Sequence, residues 1–327
     1  IGENAYIRII GDYDIDGVCS TYILLRGLTR AGAEVDTDIP DRKKDGYGLH
    51  EDLVKRAYDA GVDTIVTCDN GIAAVKEIAY AKSLGKTVII TDHHELQEEI
   101  PPADVVVNPH QKDCTYPYKN LCGAGVAWKL VSALWEQLGV PEQELYEDLL
   151  LFAGFATVGD VMDLTGENRI LVKEALKLLK TTTHPGISAL IEVNEISRET
   201  ISAFHIGFVL GPCINASGRL DTAKRALELL KTTDYEKALV KAAELKALND
   251  ERKSMTDDGV QQALDQIENS DMKGDRVLVI YLPDCHESLA GIIAGRIRER
   301  YYRPVFVLTR SQDGVKGSGR SIETYSM

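Results

Sequence analysis

The chain has 327 residues, of which 44% are hydrophobic and 27% are charged. This length allows two domains that each bury a core, and the composition is ordinary for a soluble globular protein. No apolar run reaches the roughly 20 residues that span a bilayer, and no signal-peptide pattern opens the sequence. We therefore expect no membrane association, and because the first residue is Ile1 we expect a fragment of a longer protein.

The formal net charge of −14 argues against a generally basic surface for nucleic acid. The charge is uneven, because residues 280–327 hold 7 basic and 5 acidic residues, a balance of +2 (7 − 5). An acidic protein can still bind phosphate through metal ions and a local basic patch. The six cysteines are scattered without a CxxC pair. Their spacing disfavours a structural zinc site or a disulfide framework and predicts a reducing, cytoplasmic setting.

Residues 1–110 alternate between strand-like and helix-like patterns. Three helices are predicted, at residues 18–31, 51–60 and 73–84. Apolar, strand-like runs rich in Val, Ile and Thr lie at residues 6–10, 63–68, 87–90 and 105–107. A β-α-β-α order of this kind predicts a parallel sheet with right-handed crossovers.

The rest of the chain is mostly helical up to a second α/β pattern. Helical spacing is found at residues 125–138, 142–155, 168–181 and 223–232. Residues 234–268 form two charged helical stretches, which we interpret as a long connector. A strand, a helix and a strand follow, at residues 276–281, 289–300 and 304–308. The predicted domains are residues 1–232, a helical connector at 233–270, and a truncated domain at 271–327.

Polar residues follow three of the predicted strands. The first strand runs into GDYDIDG at residues 11–17, another into DNG at 69–71, and another into DHH at 92–94. In open α/β sheets, ligands bind outside the carboxyl ends of the strands. Three acidic strand ends therefore predict one convergent site that is rich in Asp and His.

Each of these motifs also has a purely structural explanation. Asp12 and Asp16 are explained equally well as turn formers or helix caps when their motif is taken alone. The Asn-Gly pair after Asp69 is a turn signal. The three motifs together favour a metal site, and several carboxylates with one imidazole suit Mn²⁺ or Mg²⁺ better than they suit a thiolate-rich zinc site. Several Asp side chains can bridge two ions, an arrangement suited to phosphoester hydrolysis.

A dinucleotide-binding fold is the competing interpretation of the first β-α-β pattern. The loop at residues 11–17 is acidic and does not contain the GxGxxG sequence of such folds. Its carboxylates would repel a pyrophosphate unless metal ions intervened. The loop therefore disfavours this interpretation.

The three motifs together resemble the DHH phosphoesterase superfamily. Further stretches are similar to the bacterial RecJ exonuclease family: IPDR at 39–42, GYGL at 46–49, GAGVA at 123–127, ATVGD at 156–160, GENR at 166–169 and GPCINASGRL at 211–220. The sequence GSGRS at 317–321 resembles the signature of the associated DHHA1 domain. The resemblance implies a parallel-sheet DHH domain with a helical extension, a long connecting helix, and a partial second α/β domain of the DHHA1 type.

The resemblance also implies roles for individual residues. The implied metal ligands are Asp14, Asp16, Asp69, His93 and Asp160. Asp92 would orient a histidine and His94 would contact the scissile phosphate, and these two form the implied catalytic pair. The residues implied to hold a 5′ phosphate or nearby backbone are Arg42, Arg219, Ser318 and Arg320. A single Arg is more simply explained by a surface ion pair, but we expect the glycine-rich loop at Arg320 to form an anion-binding nest.

The sequence departs from the pattern of the superfamily at three points. Ile10 stands where some members carry a histidine, so one nitrogen ligand is absent and metal preference can change. Cys213 stands where relatives often have a basic residue, which puts one backbone contact in doubt. The chain also stops soon after the GSGRS sequence, so we expect it to lack an oligonucleotide-binding domain and the rest of the DHHA1 domain.

The function implied by the resemblance is metal-dependent hydrolysis of phosphodiester bonds in single-stranded DNA. The implied enzyme is a monomeric 5′ to 3′ exonuclease of DNA repair and recombination that uses two Mn²⁺ or Mg²⁺ ions. Its implied partners are single-stranded DNA, a single-strand-binding protein and a helicase. Two alternatives stay open: a DHH–DHHA1 phosphodiesterase for short oligoribonucleotides or cyclic dinucleotides, and a non-catalytic replication scaffold with a DHH fold.

Overall fold

The computed structural model describes residues 5–41, 48–141, 143, 149–311, 314–325 and 327. They form two compact units, Ile1–Lys246 and Ala247–Met327. The boundary between the units lies within a single long helix. The division into residues 1–232, 233–270 and 271–327 stays a prediction.

The first unit contains a five-stranded parallel sheet. Its strands are β1 (Tyr6–Ile10), β2 (Glu34–Asp38), β3 (Thr64–Cys68), β4 (Thr87–Thr91) and β5 (Val105–Val107), in the spatial order β2-β1-β3-β4-β5. The connecting helices are α1 (Ile15–Arg30), α2 (Glu51–Asp59) and α3 (Val75–Ser83). The strand order reverses between β1 and β3, and in doubly wound sheets this switch point is where ligands bind.

Both faces of this sheet are covered, which explains why its central strands are mostly apolar. On one face, Ile10, Ile65 and Ile90 pack with Leu53 of α2 and Ile78 of α3. On the other face, α1 packs against α4 (Gly123–Leu138) and against α5 (Leu151–Gly159). The predicted α/β class and parallel sheet are confirmed.

A helical extension completes the first unit. Its further helices are α6 (Gly166–Thr181), α7 (Pro185–Val193), α8 (Ala203–His205), α9 (Gly211–Leu220) and α10 (Lys224–Lys231). A π-helix at Ile206–Leu210 joins α8 to α9 without a break. The helix predicted at 142–155 lies partly outside the described residues, and α5 continues beyond its predicted end to Gly159.

The predicted connector is one helix rather than two stretches. The helix α11 (Tyr235–Glu268) runs for 34 residues without interruption. The 3₁₀ turns that follow it in the second unit are Asp271–Gly274 and Glu287–Leu289. Among the described residues, no helix is long and apolar enough to cross a membrane.

The second unit has its own sheet of three strands. The strands β6 (Leu278–Tyr281) and β7 (Val305–Ser311) are parallel, and β8 (Gly314–Arg320) pairs antiparallel with β7. The core of this unit joins the helix α12 (Ala290–Tyr301) to the end of α11, where Ile267 packs near Leu278 and Ile293. The predicted α/β character of this unit is confirmed.

The expectation of a loop at residues 317–321 was wrong, because residues 314–320 form a strand, whereas anion binding there stays a prediction. Three glycines in seven residues give this segment little strand propensity of its own. Two of them are needed for packing: a Cβ at Gly317 would lie 2.5 Å from Leu308 Cδ2, and one at Gly319 would lie 2.9 Å from the ring of Phe306. Pairing with β7 therefore decides the conformation.

Burial of His184 makes the stability of the first unit depend on pH. The Ile187 N–H donates to His184 Nδ1 over 3.3 Å, so this ring caps α7. Burial and the nearby Arg26 charge lower the pKa of His184 to about 4. The unfolded chain, with a value of about 6.5, therefore binds the proton more tightly, and stability falls as the pH drops from about 6.5 to 4, by about 2 to 3 kcal/mol.

We expect His184→Asn to remove this part of the pH dependence. Asn keeps a capping acceptor but does not titrate. Urea unfolding of the wild type and the variant at pH 7 and pH 4.5 measures the difference. The matched control is His110→Asn, which removes an imidazole from a turn outside α7. If the unfolding free energy changes equally between pH 7 and pH 4.5 in the wild type and in His184→Asn, the buried imidazole does not destabilise the protein in acid.

Candidate metal centre

The three acidic motifs lie at the carboxyl ends of adjacent strands. The first motif follows β1, Asp69 follows β3 and Asp92 follows β4, and these strands are neighbours in the sheet. The motifs therefore flank the switch point between β1 and β3. The sheet topology brings together side chains that are up to about 80 residues apart in sequence.

Asp14 is the residue that caps α1. Its Oδ1 accepts hydrogen bonds from the Asp16 and Gly17 N–H groups, at 2.9 and 3.0 Å. The structural explanation that assigned a helix cap to Asp12 or Asp16 therefore names the wrong carboxylate. A Cβ at Gly17 would lie 2.4 Å from the Asp12 carbonyl oxygen, so this turn closes only with glycine. Burial and the charge of Asp16 raise the pKa of Asp14.

The motif at residues 211–220 forms α9 and fixes the loop at residues 11–17. The Ile15 N–H donates to Asn215 Oδ1 over 2.7 Å. A Cβ at Gly218 would lie 2.2 Å from the Tyr13 carbonyl oxygen, so the α9 backbone contacts the loop directly. The helix α9 therefore positions the first motif by one hydrogen bond and one close backbone contact.

Asp16 is held by the first turn of α4. Its Oδ2 and Oδ1 accept hydrogen bonds from the Gly123 and Ala124 N–H groups, at 2.6 and 2.8 Å. Its side chain is 1% exposed. A carboxylate at a helix N-terminus satisfies N–H groups that have no partner within the helix and interacts favourably with the helix dipole. Asp16 thus joins α1 to α4 as well as facing the cluster.

The carboxylate of Asp69 is buried, and little in its surroundings offsets the cost of burying its charge. It has a positive φ of 58°, a conformation that Asp and Asn adopt more readily than most residues. Its Oδ1 is buried without a hydrogen-bond partner, and a Cβ at Gly123 would lie only 2.8 Å from this oxygen. Burial and the carboxylates of Asp16 and Asp14 raise the pKa of Asp69 well above its usual range.

Asp92 holds both histidines that follow it. Its Oδ1 accepts from the N–H groups of His93 and His94, at 2.8 and 3.1 Å, and lies 2.7 Å from His94 Nδ1. Its Oδ2 accepts from the Ile72 N–H at 3.0 Å. Burial alone would raise the pKa of Asp92, but the His94 ring and the backbone donors lower it. Asp92 is therefore an ionised anchor for the triplet.

The two histidines differ in their surroundings. The side chain of His93 is 10% exposed, and burial lowers its pKa, which keeps the ring neutral. Its Nε2 lies 3.2 Å from Asp69 Oδ1, 3.6 Å from Asp16 Oδ2 and 3.8 Å from Asp160 Oδ2. The side chain of His94 is 44% exposed, and its contact with Asp92 raises its pKa. The neutral ring faces the carboxylates and the readily protonated ring faces solvent.

Asp160 enters the cluster from the helical extension. It follows the last residue of α5, where its N–H donates to the Ala156 carbonyl oxygen at 2.8 Å. Burial and the charges of Asp16 and Asp14 raise the pKa of Asp160 to about 7. Burial and the two neighbouring carboxylates thus both disfavour the ionised form of Asp160.

The possible donor atoms form three overlapping groups, and within each group they lie within 4.8 Å of one another. The groups are Asp69 with His93 and His94, Asp16 with His93 and Asp160, and Asp12 with Asp14 and Asp69. This donor set fits a divalent cation, because a buried oxygen without a hydrogen-bond partner and several carboxylates of raised pKa would both be stabilised by positive charge. Asp12 was not among the predicted ligands; its alternation with Asp14 and Asp16 was the available signal.

The predicted phosphate-binding residues are less tightly clustered. Arg42 lies outside the described residues. Arg219 is half-buried in the last turn of α9 in the first unit. In the second unit, a Cβ at Gly291 would lie 2.7 Å from the Arg320 guanidinium and 3.3 Å from Ser318 Oγ. The side chains of Ser318 and Arg320 therefore share one face of β8, over the first turn of α12.

Two of the three departures from the superfamily pattern are fully buried side chains. Ile10 is fully buried in the core beneath the sheet, with Leu53 and Ile78. Cys213 is also fully buried, and its thiol donates to the Val209 carbonyl oxygen at 3.2 Å. Neither side chain reaches the metal-binding cluster or the surface. The roles of all the predicted site residues stay predictions at this stage.

Comparison with known proteins gives a consistent result. Residues 6–154 match the model of the DHH family, N-terminal domain. The chain is 39% identical to the single-stranded-DNA-specific exonuclease RecJ of Bacillus subtilis, over all of this chain and 41% of the relative. It is 38% identical to the Escherichia coli protein of the same name, over 99% of this chain and 59% of the relative. The chain thus spans about half the length of these curated relatives.

A solved structure extends the similarity to three dimensions. The crystal structure of an exonuclease RecJ bound to manganese superimposes with a TM-score of 0.87 at 34% identity. The match covers the whole of this chain and 80% of the solved chain. Both units and the order of their elements are therefore shared with that protein. The chain belongs to the DHH family and, within it, to the RecJ proteins.

Proposed function

We propose that this chain is the catalytic part of a metal-dependent exonuclease that hydrolyses single-stranded DNA from the 5′ end, in DNA repair and recombination. One observation carries the proposal: His93 Nε2 lies within 3.8 Å of three carboxylates on three different elements. A neutral imidazole among uncompensated carboxylates is a site for a divalent cation. The names of the RecJ relatives support the choice of single-stranded DNA.

The proposed ligands of Mn²⁺ or Mg²⁺ are Asp14, Asp16, Asp69, His93 and Asp160, and Asp12 is added to them from the geometry. When bound, two such ions supply activation of water and neutralisation of the phosphoryl charge. The manganese named for the solved RecJ structure supports this choice of metal.

The remaining proposed roles belong to side chains around the cluster. Asp92 holds His94 by Nδ1, so the exposed part of that ring can donate a hydrogen bond to the scissile phosphate. The raised pKa of His94 favours the charged form that does this. We assign the binding of the 5′ phosphate or nearby backbone to Arg219, Ser318 and Arg320, and to Arg42 by sequence similarity alone. An Arg suits this role because its planar guanidinium binds phosphate oxygens in pairs.

The cellular context is part of the same proposal. We propose a monomer that acts with a single-strand-binding protein and a helicase. Six free cysteines support a reducing, cytoplasmic setting, because four of them are buried and serve as small apolar side chains.

Digestion of end-labelled single strands tests the function. We expect Mn²⁺-dependent degradation of single-stranded DNA that carries a 5′ phosphate, with nucleotides released from the 5′ end and no activity in EDTA. Double-stranded DNA and single strands blocked at the 5′ end are the matched controls. Loss of the 5′ label before the 3′ label gives the direction.

Two results would contradict the proposal. Faster hydrolysis of dinucleotides or cyclic dinucleotides than of long single strands would identify the short-substrate phosphodiesterase instead. Resistance of every substrate, together with no Mn²⁺-induced rise in Tm, would favour the non-catalytic scaffold.

A further inference from the structure

An exposed pair of aromatic rings lies in the first unit, outside the metal centre. Phe204 and Phe208 are 61% and 68% exposed. Their rings stack with centroids 5.0 Å apart and planes at 28°. A single exposed apolar side chain is common, but two large rings stacked in solvent form an apolar patch of the kind that marks a binding surface.

The pair is carried by the same continuous helical segment that positions the metal-binding loop. Phe204 lies in α8 and Phe208 in the π-helix, and Asn215 of α9 accepts the hydrogen bond from Ile15 next to Asp14. π-helical turns within α-helices occur frequently at functional sites. The rings are therefore fixed with respect to the metal centre through the backbone of one helix.

A second contact links the pair to Asp160. A Cβ at Gly207, between the two rings, would lie 3.7 Å from Val158 Cγ1, and Val158 precedes Asp160 by two residues in α5. The start of α8 is also fixed, because the Ser202 N–H donates to His205 Nδ1 over 3.2 Å. The ring pair is thus a preformed feature close in structure to one of the proposed ligands.

A groove with apolar walls and a row of cations borders the ring pair. The groove has a volume of about 390 Å³, and its lining includes Ser202 and Ala203, which directly precede Phe204. Its cations are Arg169, Lys173, Lys177 and Lys180 of α6. Because these four residues are three or four apart, they occupy one face of the helix and extend over about 16 Å of its axis.

The charge of this part of α6 is opposite in sign to the net charge of the protein. Residues 169–181 hold four basic residues and one acidic residue, a balance of +3 (4 − 1), whereas the whole chain has −14. The acidic residue, Glu174, pairs with Lys177. A local row of cations beside exposed aromatic rings is complementary to a flexible polyanion whose bases can stack.

We propose that Phe204, Phe208 and the cations of α6 form an auxiliary binding surface for single-stranded DNA, which holds the strand outside the metal centre. Bases stack on the rings, and phosphates lie along the cations of α6. Stacking needs no particular base, so the surface binds without sequence preference. This inference rests on the proposed function, because it takes the occupant to be the same strand that is degraded.

Binding of fluorescent oligo(dT) in EDTA tests the surface separately from catalysis. We expect Phe204→Ala/Phe208→Ala to weaken binding about tenfold, the loss of one stacked base. Phe204→Tyr/Phe208→Tyr is expected to restore it, because it keeps the rings. Val240→Ala is the matched control, since Val240 is 61% exposed on α11. An oligonucleotide of abasic residues is expected to bind the wild type and the double Ala variant equally.

Charge variants test the groove. Replacing Lys173, Lys177 and Lys180 with Gln is expected to reduce the slope of log affinity against log salt by about 0.7 for each phosphate that the protein no longer neutralises. The matched control is Lys55→Gln on the exposed side of α2. The rise in Tm caused by Mn²⁺ is expected to be the same in all variants, which shows that the metal centre is intact.

The outcomes separate this inference from the proposed function. Equal affinities of the wild type and the double Ala variant for oligo(dT) would overturn the auxiliary surface, whether or not the protein degrades DNA. If that variant instead becomes less self-associating with unchanged DNA binding, the face is a protein interface and the inference is wrong. A wild type that binds oligo(dT) through the rings but degrades nothing would contradict only the proposed function.

Discussion

Replacing Asp69 with Asn is expected to abolish Mn²⁺-dependent hydrolysis and, at the same time, to stabilise the metal-free protein. Metal stabilisation of the transition state is worth several kcal/mol, so loss of about 4 kcal/mol corresponds to about a thousandfold lower rate. The metal-free protein gains because Asn removes a buried carboxylate that its neighbours repel. We expect a gain of about 2 kcal/mol.

The stability gained by Asp69→Asn is expected to grow as the pH rises. The pKa of Asp69 is raised in the folded protein, so the native state binds the proton more tightly than the unfolded chain, whose value is about 3.9. The wild type therefore loses stability relative to Asp69→Asn as the pH rises above about 4. Urea unfolding in EDTA between pH 4 and pH 8 measures the divergence of the two proteins.

Asn is the better substitution at this position because of the backbone. Asp69 has a φ of 58°, which Asn tolerates and Ala does not. A variant with Ala would combine backbone strain with the loss of charge. The control is Glu99→Gln, an exposed carboxylate after β4, for which both activity and stability are expected to be unchanged. Full Mn²⁺-dependent activity of Asp69→Asn would remove Asp69 from the proposed set of metal ligands.

The same substitution at Asp16 is expected to destabilise the metal-free protein. Its two oxygens accept from the Gly123 and Ala124 N–H groups at the start of α4. Asn offers one acceptor, and its NH₂ group would face an N–H donor. Loss of a charged hydrogen bond and of the charge at the helix terminus is expected to cost about 3 kcal/mol.

Urea unfolding of Asp16→Asn in EDTA, beside Asp69→Asn, measures this difference. Both variants are expected to lose nuclease activity, but their unfolding free energies are expected to move in opposite directions from that of the wild type. The Glu99→Gln variant again provides the control. Equal stability of Asp16→Asn and the wild type would mean that α4 does not depend on this carboxylate.

The sequence was informative wherever the signal was local. The strand ends could be found because an apolar run stops at an acidic residue, as at Asp69 and Asp92. The parallel sheet followed from the alternation of strands and helices. The family followed from the order of the motifs, which holds along almost the whole chain.

Other features depend on partners that are distant in sequence. The cap of α1 is Asp14 rather than Asp12 or Asp16, because Asp16 is held by α4, more than 100 residues later. From the sequence we expect a loop around residues 317–321, because glycines carry no strand signal. In the structure, pairing with β7 makes residues 314–320 a strand. The stacking of Phe204 on Phe208, both exposed, could not be told from core packing by helical spacing alone.

The sequence by itself determined the α/β class, the family and the residue types at the strand ends, since these are recorded in local periodicity and in short motifs. Only the tertiary structure decided how the members of the cluster differ. It made His93 neutral and surrounded by carboxylates, left His94 exposed and held by Asp92, and buried Asp69 without a hydrogen-bond partner for Oδ1. The physical reason is that burial and the distance between charges, which set the pKa of each group, arise only when separate strand ends are brought together.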